Sequence, residues 1–399
     1  MKRVLYAEAV YDQREIDAVV DVLKNSPHAL MGGPRVAEFE RRVAALFGKK
    51  FGLMVNSGSS ANLVAIGSLG LAPGSEVITP ALTFSTTVAP LVQNGLVPVF
   101  VDVEPDTYVV DIDAVEALIT PRTRALMIPN LIGNLPDWTR LRAIADKHKI
   151  LLIEDSCDTI GYSFDGGTTG QLSDIATTSF YASHVMTAAG FGGMAMFNDE
   201  ALYQKALGLR GWGRASSRMS ESETIESRFE SEVDGIEYDA KFTFDDIGYN
   251  FLPSEISAAF GLVQLDRLSD YIARRVKNFE RLTGFFRDYG KWFILPRPQN
   301  KASVAWLAVP LIVRGDAPFT RRELQTHFES NGIQTRTVFT GNILRQPGFR
   351  GIERREAESG FPNADRVMAG GMLIGCHQGM GADDIDYIED SFRDFIKTY

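Results

Sequence analysis

Apolar residues recur in two alternating rhythms along the first part of the chain. Residues 13–25 carry Ile16, Val19, Val20 and Leu23 at helical spacing. Asn25-Ser26-Pro27 ends that pattern. A turn at Met31-Gly32-Gly33-Pro34 leads into a second predicted helix over 35–47. Short apolar runs follow at 51–55, 76–79, 97–101, 125–129, 150–153 and 175–178. Helix-like segments separate them, among them 111–119 and 138–148. Short strands alternating with helices predict an α/β unit with a mostly parallel sheet. Asn130-Leu131-Ile132-Gly133-Asn134 then lies at a strand's C-terminal end, where open α/β sheets place their ligands.

The pattern changes after residue 200. Residues 202–209 read as helix. Residues 216–240 are polar and acidic without periodicity, which predicts a mobile surface loop. A helix rich in Ala, Ile and Leu runs to Leu265, and a long helix over 265–289 links to a smaller unit that begins at Trp292-Phe293-Ile294-Leu295-Pro296. There a strand over 304–313, broken by Pro310, precedes a helix over 321–331. The expected division is a large α/β domain over 1–265, a linking helix over 266–290 and a small α+β domain over 291–399.

Several loops carry candidate chemistry. Asn56-Ser57-Gly58-Ser59-Ser60 follows a strand and opens a helix. Free backbone N–H groups and the helix dipole make such a terminus an anion site, although a plain N-cap explains the same residues. Glu154-Asp155 ends a strand. A carboxylate there can pair with a protonated ring nitrogen, or it can cap the following turn. Ser179-Phe180-Tyr181-Ala182-Ser183-His184 ends another strand and runs on to Gly190-Phe191-Gly192-Gly193.

Composition narrows the class. Of 399 residues, 45% are apolar and 23% charged, which suits a globular protein with a sizeable core. A net charge of −10 argues against a nucleic-acid partner. No apolar run approaches the ~18 residues of a membrane span, and Met1-Lys2-Arg3 is followed only by the short apolar run that starts Val4-Leu5-Tyr6 before polar residues appear. A cytoplasmic protein without membrane contact is expected. The two cysteines, Cys157 and Cys376, make a disulfide framework unlikely in that setting and are too few for an ordinary four-cysteine iron–sulfur cluster. No metal is expected.

Taken together, the segments 56–62, 153–158 and 179–184 resemble the cofactor site of the DegT/DnrJ/EryC1/StrS sugar aminotransferases, a family of fold type I with pyridoxal phosphate (PLP) as cofactor. The resemblance covers nearly the whole chain and implies a large domain with a mostly parallel sheet plus a small C-terminal α+β domain. It implies that Gly58, Ser59 and Ser60 bind the cofactor phosphate, Phe84 stacks on its ring, Asp155 pairs with the ring nitrogen and Ser179 completes the cradle. Gly248-Tyr249-Asn250 resembles a family segment whose asparagine reaches the phosphate of the neighbouring subunit. Asn250 therefore implies a homodimer with shared active sites. Gly32, Arg336 and His377 are candidate substrate contacts on the same ground.

The sixth position of the Ser-Phe-x-x-x-Lys motif is His184 here. An imidazole has no primary amine and cannot hold the cofactor covalently, yet it can move protons near neutral pH. This replacement resembles the nucleotide-sugar 3-dehydratases within the family, and segments 332–342 and 375–378 resemble most those acting on a GDP-linked sugar. The implied reaction removes the C3 hydroxyl of a nucleotide-linked 4-keto-6-deoxyhexose. The cofactor would be held noncovalently as PLP and its pyridoxamine form (PMP), and glutamate would be the amino donor. The alternatives are a plain sugar aminotransferase, which needs a lysine at 184, and a non-catalytic relative that only binds cofactor or sugar. Gly190-Phe191-Gly192-Gly193 lacks the family's usual glutamate, which puts the local loop geometry in question.

Overall fold

The computed structural model describes residues 2–104, 106–219 and 224–399. Its centre is an eight-stranded sheet. The strands Arg355–Glu356, Val97–Val101, Glu76–Pro80, Thr123–Pro129, Leu151–Asp155 and Ile175–Ser179 lie side by side in that order, all parallel. Gly193–Phe197 then runs antiparallel between Ile175–Ser179 and Phe51–Val55. The central strands are buried along nearly their whole length, as expected for a sheet covered on both faces. Because the strands are parallel, their C-terminal ends bring residues 130, 155 and 179 to one edge.

A second, four-stranded antiparallel sheet joins Phe293–Ile294, Val309–Val313, Gly371–Ile374 and Thr335–Thr337. Pro310 does not break its strand. Phe293–Ile294 pairs only with Ile312 and Val313, so Pro310 has a sheet partner on one side alone. This sheet has its own core of Leu311, Phe328, Met372, Phe392 and their neighbours. The N-terminal segment joins it: Val4 packs in this core and pairs with Ile333. Residues 4–6 are thereby drawn against the C-terminal unit, and Tyr6 reaches the boundary between the two sheets.

The long helix expected over 265–289 is Leu268–Arg287, set off at Arg267 from the preceding helix Glu255–Asp266. Two elements differ from the sequence expectation. The stretch over 216–240 is not a structureless loop. A short helix at Ile225–Phe229 and a hairpin of Ser231–Val233 with Ile236–Tyr238 occupy it, and each is too short to show a period; residues 220–223 lie outside the described residues. The first helix spans Gln13–Asn25 as expected but buries a different face. Ile16 and Leu23 are exposed, whereas Glu15 is fully buried and accepts from Gln264 Nε2 at 2.6 Å and Arg267 Nη1 at 2.7 Å. A charged, hydrogen-bonded anchor has outweighed the apolar periodicity.

Candidate active site

A cavity of about 630 Å³ opens at the C-terminal edge of the large sheet, where the second sheet closes over it. Ser57, Gly58 and Ser59 form one wall. Ser57 caps the helix Gly58–Ser68: its side chain accepts the Ser60 N–H at 3.1 Å. Ser60 is thereby spent on the cap and does not line the cavity, while Ser57, not singled out in the sequence, does. Gly58 is required by contact. A Cβ there would stand 2.6 Å from Ser179 Cβ and 2.8 Å from Cys157 Sγ. The helix N-terminus is pressed directly onto the strand ends, its free N–H groups turned to the cavity edge.

Asp155 forms the floor. Its Oδ2 accepts from Asn62 Nδ2 and Thr87 Oγ1, both at 2.8 Å, and Oδ1 accepts from the Cys157 N–H at 3.2 Å. Asn62 is itself fixed by Thr177 Oγ1, which donates to Asn62 Oδ1 at 2.6 Å, and by its own donation to the Thr86 carbonyl at 3.1 Å. Every donor to this buried carboxylate is neutral. A carboxylate so buried lacks a cationic partner, and a protonated ring nitrogen supplies one. With the helix terminus and the half-exposed ring of Phe84 also lining the cavity, the residues present fit PLP or PMP. Sequence reasoning did not single out Asn62 and Thr87. Both lie inside helices, where nothing in the local pattern separates them from structural residues.

The segment after Ser179 folds back on itself. Phe180 is fully buried against Phe39, with ring centroids 4.8 Å apart. The Phe180 N–H donates to the Gly192 carbonyl at 2.9 Å, and its carbonyl accepts from Ala188 N–H and Thr187 Oγ1. Gly192 holds φ +134, and a Cβ on Gly193 would stand 2.2 Å from the Ser57 carbonyl oxygen. Two glycines are thus dictated by backbone approach. Phe191, in place of the family's glutamate, is 66% exposed and leaves this closure intact.

His184 lines the cavity from this loop. Burial first, and then the Arg275 charge, push its pKa down to about 4, so the ring is neutral at neutral pH. Arg275 is fully buried and fixes the loop from the helix Leu268–Arg287. Its Nη2 donates to the His184 carbonyl at 3.3 Å, Nη1 to the Leu307 carbonyl at 3.0 Å, and Nε to Gln378 Oε1 at 2.7 Å. Gln378 Nε2 in turn donates to the Val185 carbonyl at 3.1 Å.

The other sequence candidates fall in different places. Arg336 lines the rim, its guanidinium 5.4 Å from the Tyr6 ring centroid. His377 does not line the cavity. It is 2% exposed, its Nε2 meets the Leu5 carbonyl at 3.2 Å, and its Nδ1 accepts the Gly379 N–H at 3.3 Å. Its ring is spent on the fold, and its neighbour Gln378 is the residue that reaches the His184 loop. Gly32 and Asn250 are exposed and outside the cavity of their own chain. Among the described residues lining the cavity there is no lysine, and no cluster of described residues could hold a metal ion.

This fold and cavity belong to a known class. Residues 10–393 match the DegT/DnrJ/EryC1/StrS aminotransferase family, and the chain belongs to that family. Its architecture is the PLP-dependent aminotransferase fold. The chain is 36% identical to the dTDP-4-dehydro-2,6-dideoxy-D-glucose 3-dehydratase of Saccharopolyspora spinosa, covering 97% of this chain and 85% of that protein. It is 31% identical to the GDP-4-keto-6-deoxy-D-mannose 3-dehydratase of Escherichia coli O55:H7, covering 97% and 98%. A crystal structure of GDP-4-keto-6-deoxymannose-3-dehydratase with a trapped PLP–glutamate geminal diamine superposes with a TM-score of 0.87 at 29% identity, over 98% of this chain and all of that one.

Proposed function

We propose that this protein is a C3 dehydratase of a nucleotide-linked 4-keto-6-deoxyhexose, working with PLP and PMP held noncovalently and with glutamate as amino donor. The observation that carries this reading is His184 in the cavity wall without a lysine among the described lining residues. A transaminating lysine is missing, and a neutral imidazole able to move a proton stands in its place.

When bound, the cofactor supplies an amine for the sugar ketone and a ring that withdraws electrons. The protein's share is binding, orientation and proton traffic. The N–H groups at Gly58 and Ser59 would hold the phosphate, and Asp155 would keep the ring nitrogen protonated. His184 would remove a proton from the carbon bearing the cofactor's amine and then give it to the C3 hydroxyl, which leaves as water. One residue can serve as base and then acid because it holds the same proton between the two steps. Arg336 and Thr337 line both the cavity and an open groove along the helix Arg321–Ser330, which offers a path for a nucleotide diphosphate. The guanidinium fork of Arg336 suits phosphate.

The partner reading is a homodimer with shared sites. It is supported by the exposed Asn250 and by the exposed apolar residues Tyr11, Ile16, Leu23, Leu30 and Met31 around the first helix. The free thiols of Cys157 and Cys376 fit a reducing compartment and support a cytoplasmic location.

The test is mass spectrometry of the product. Purified protein, PLP and glutamate are mixed with a panel of nucleotide-linked 4-keto-6-deoxyhexoses. A product short by one oxygen is expected and identifies the preferred nucleotide. A product with the ketone replaced by an amine would make the protein an aminotransferase. Unchanged sugars throughout would leave a protein that binds without turnover.

A further inference from the structure

His184 has a buried polar atom with an unmet need. Its Nδ1 is enclosed and has no hydrogen-bond partner, which is uncommon for a buried nitrogen. The nearest carboxylate is Asp158, 9% exposed, whose Oδ1 stands 3.7 Å from that nitrogen. Asp158 is itself held in place: its Oδ2 accepts the Ile132 N–H at 2.8 Å. One oxygen is committed to the backbone, and the other faces the ring just beyond hydrogen-bond length. The rest of the imidazole is open to the cavity, so the nitrogen that meets a ligand is Nε2.

We propose that Asp158 is a positioning residue: it receives the Nδ1 proton of His184 and so leaves Nε2 unprotonated as the base in the cavity. A neutral imidazole carries one N–H and one lone pair, and the group facing Nδ1 decides which nitrogen has which. A carboxylate accepts only, so it selects Nδ1–H. When Nε2 takes up a proton, the imidazolium that forms lies beside an oxygen able to carry the opposite charge. The proton returns through Nε2, and Asp158 ends as it began. Burial, opposed by the Ile132 N–H and reinforced by Asp155, pushes the Asp158 pKa up to about 7. Asp158 is therefore the acceptor-only carboxylate above that pH, and a cationic ring beside it favours that ionised form.

The kinetic consequence rests on the dehydratase reading, whereas the tautomer does not. The test uses the full chain labelled with 15N-histidine, with and without PLP, the His184 signal being the one lost in His184→Asn. In the wild type that signal should show Nδ1 protonated and Nε2 free. In Asp158→Asn, which retains an acceptor for Ile132 and offers an amide N–H to the ring, the pattern should invert. In Asp158→Ala the Nε2–H form should also take over. In parallel, kcat of Asp158→Asn should fall about 100-fold, the cost of a misplaced reacting group, with KM within about threefold. A wild-type signal already protonated at Nε2, or one unmoved by both variants, overturns the proposal, as does an inverted tautomer with unchanged kcat. A wild type showing the expected tautomer but making no deoxygenated product would overturn the dehydratase reading and leave the His184–Asp158 assignment standing.

Discussion

Replacing His377 with asparagine should change how stability depends on pH far more than it changes turnover. The ring is buried where the N-terminal segment meets the four-stranded sheet, and it bonds the Leu5 carbonyl and the Gly379 N–H. Burial first, then Arg275, push its pKa from 6.5 to about 4. The folded pKa lies below the unfolded one, so between these values the unfolded chain binds the extra proton. Stability from this group is therefore complete above pH 6.5, is lost as pH falls toward 4, and changes no further below that. At 1.36 kcal/mol per unit the full loss is about 3 kcal/mol. Other groups act in the opposite sense. Asp158 and Glu154 have raised pKa values through burial and stabilise the fold on acidification. The wild-type curve mixes these contributions, but the difference between wild type and His377→Asn isolates one of them. Urea unfolding should give a variant that is less stable at pH 7.5, from lost packing and a lost hydrogen bond, and a gap that narrows steadily between pH 6.5 and 4.5. A gap constant across that range would refute the assignment of a neutral buried ring. A KM raised tenfold or more with stability unchanged would return His377 to the substrate site.

Three further outcomes follow from contacts around the cavity. Arg275→Met leaves Gln378 Oε1 and the carbonyls of Leu307 and His184 without donors; at about 1 kcal/mol or more for each unmet acceptor, urea unfolding should show a loss of about 3 kcal/mol, and Arg275→Lys should recover part of it. Asn62→Ala removes one of the two side-chain donors that orient Asp155; the dissociation constant for PLP, followed by absorbance, should rise about tenfold, the worth of one such hydrogen bond. Gly58→Ala puts a methyl against Ser179 and Cys157 and should cost about 1–3 kcal/mol of stability, with PLP binding lost first because the phosphate cup is what must move.

The strands of the large sheet were legible because each is a short apolar run closed by a polar turn, and 51–55 and 97–101 match the observed limits. The site residues legible in sequence sit at the C-terminal ends of those strands or just after them: Gly58, Ser59, Asp155, Ser179 and His184 all line one cavity. What could not be read is set by long-range partners. Glu15 is buried because Gln264 and Arg267 come to it from 250 residues away, so the face of the first helix is not fixed by its own period. Asp158 reads as one more polar residue after a strand until Ile132 and His184 are folded around it. Arg275 lies in a helix whose neighbouring cations are exposed, and nothing local marks it as the buried one.

These long-range contacts bear on why a histidine can occupy this position. A lysine tethered to a cofactor is located by its own covalent bond. An imidazole is located only by the protein. Here the location comes from three directions: the 179–193 closure beneath it, Asp158 from the large sheet beside it, and Arg275 with Gln378 behind its backbone. Gln378 belongs to the C-terminal unit, and Arg275 belongs to the helix that leads into it, so the placement of the ring depends on how that unit is seated on the large sheet. The same seating brings Tyr6 and Arg336 over the cavity.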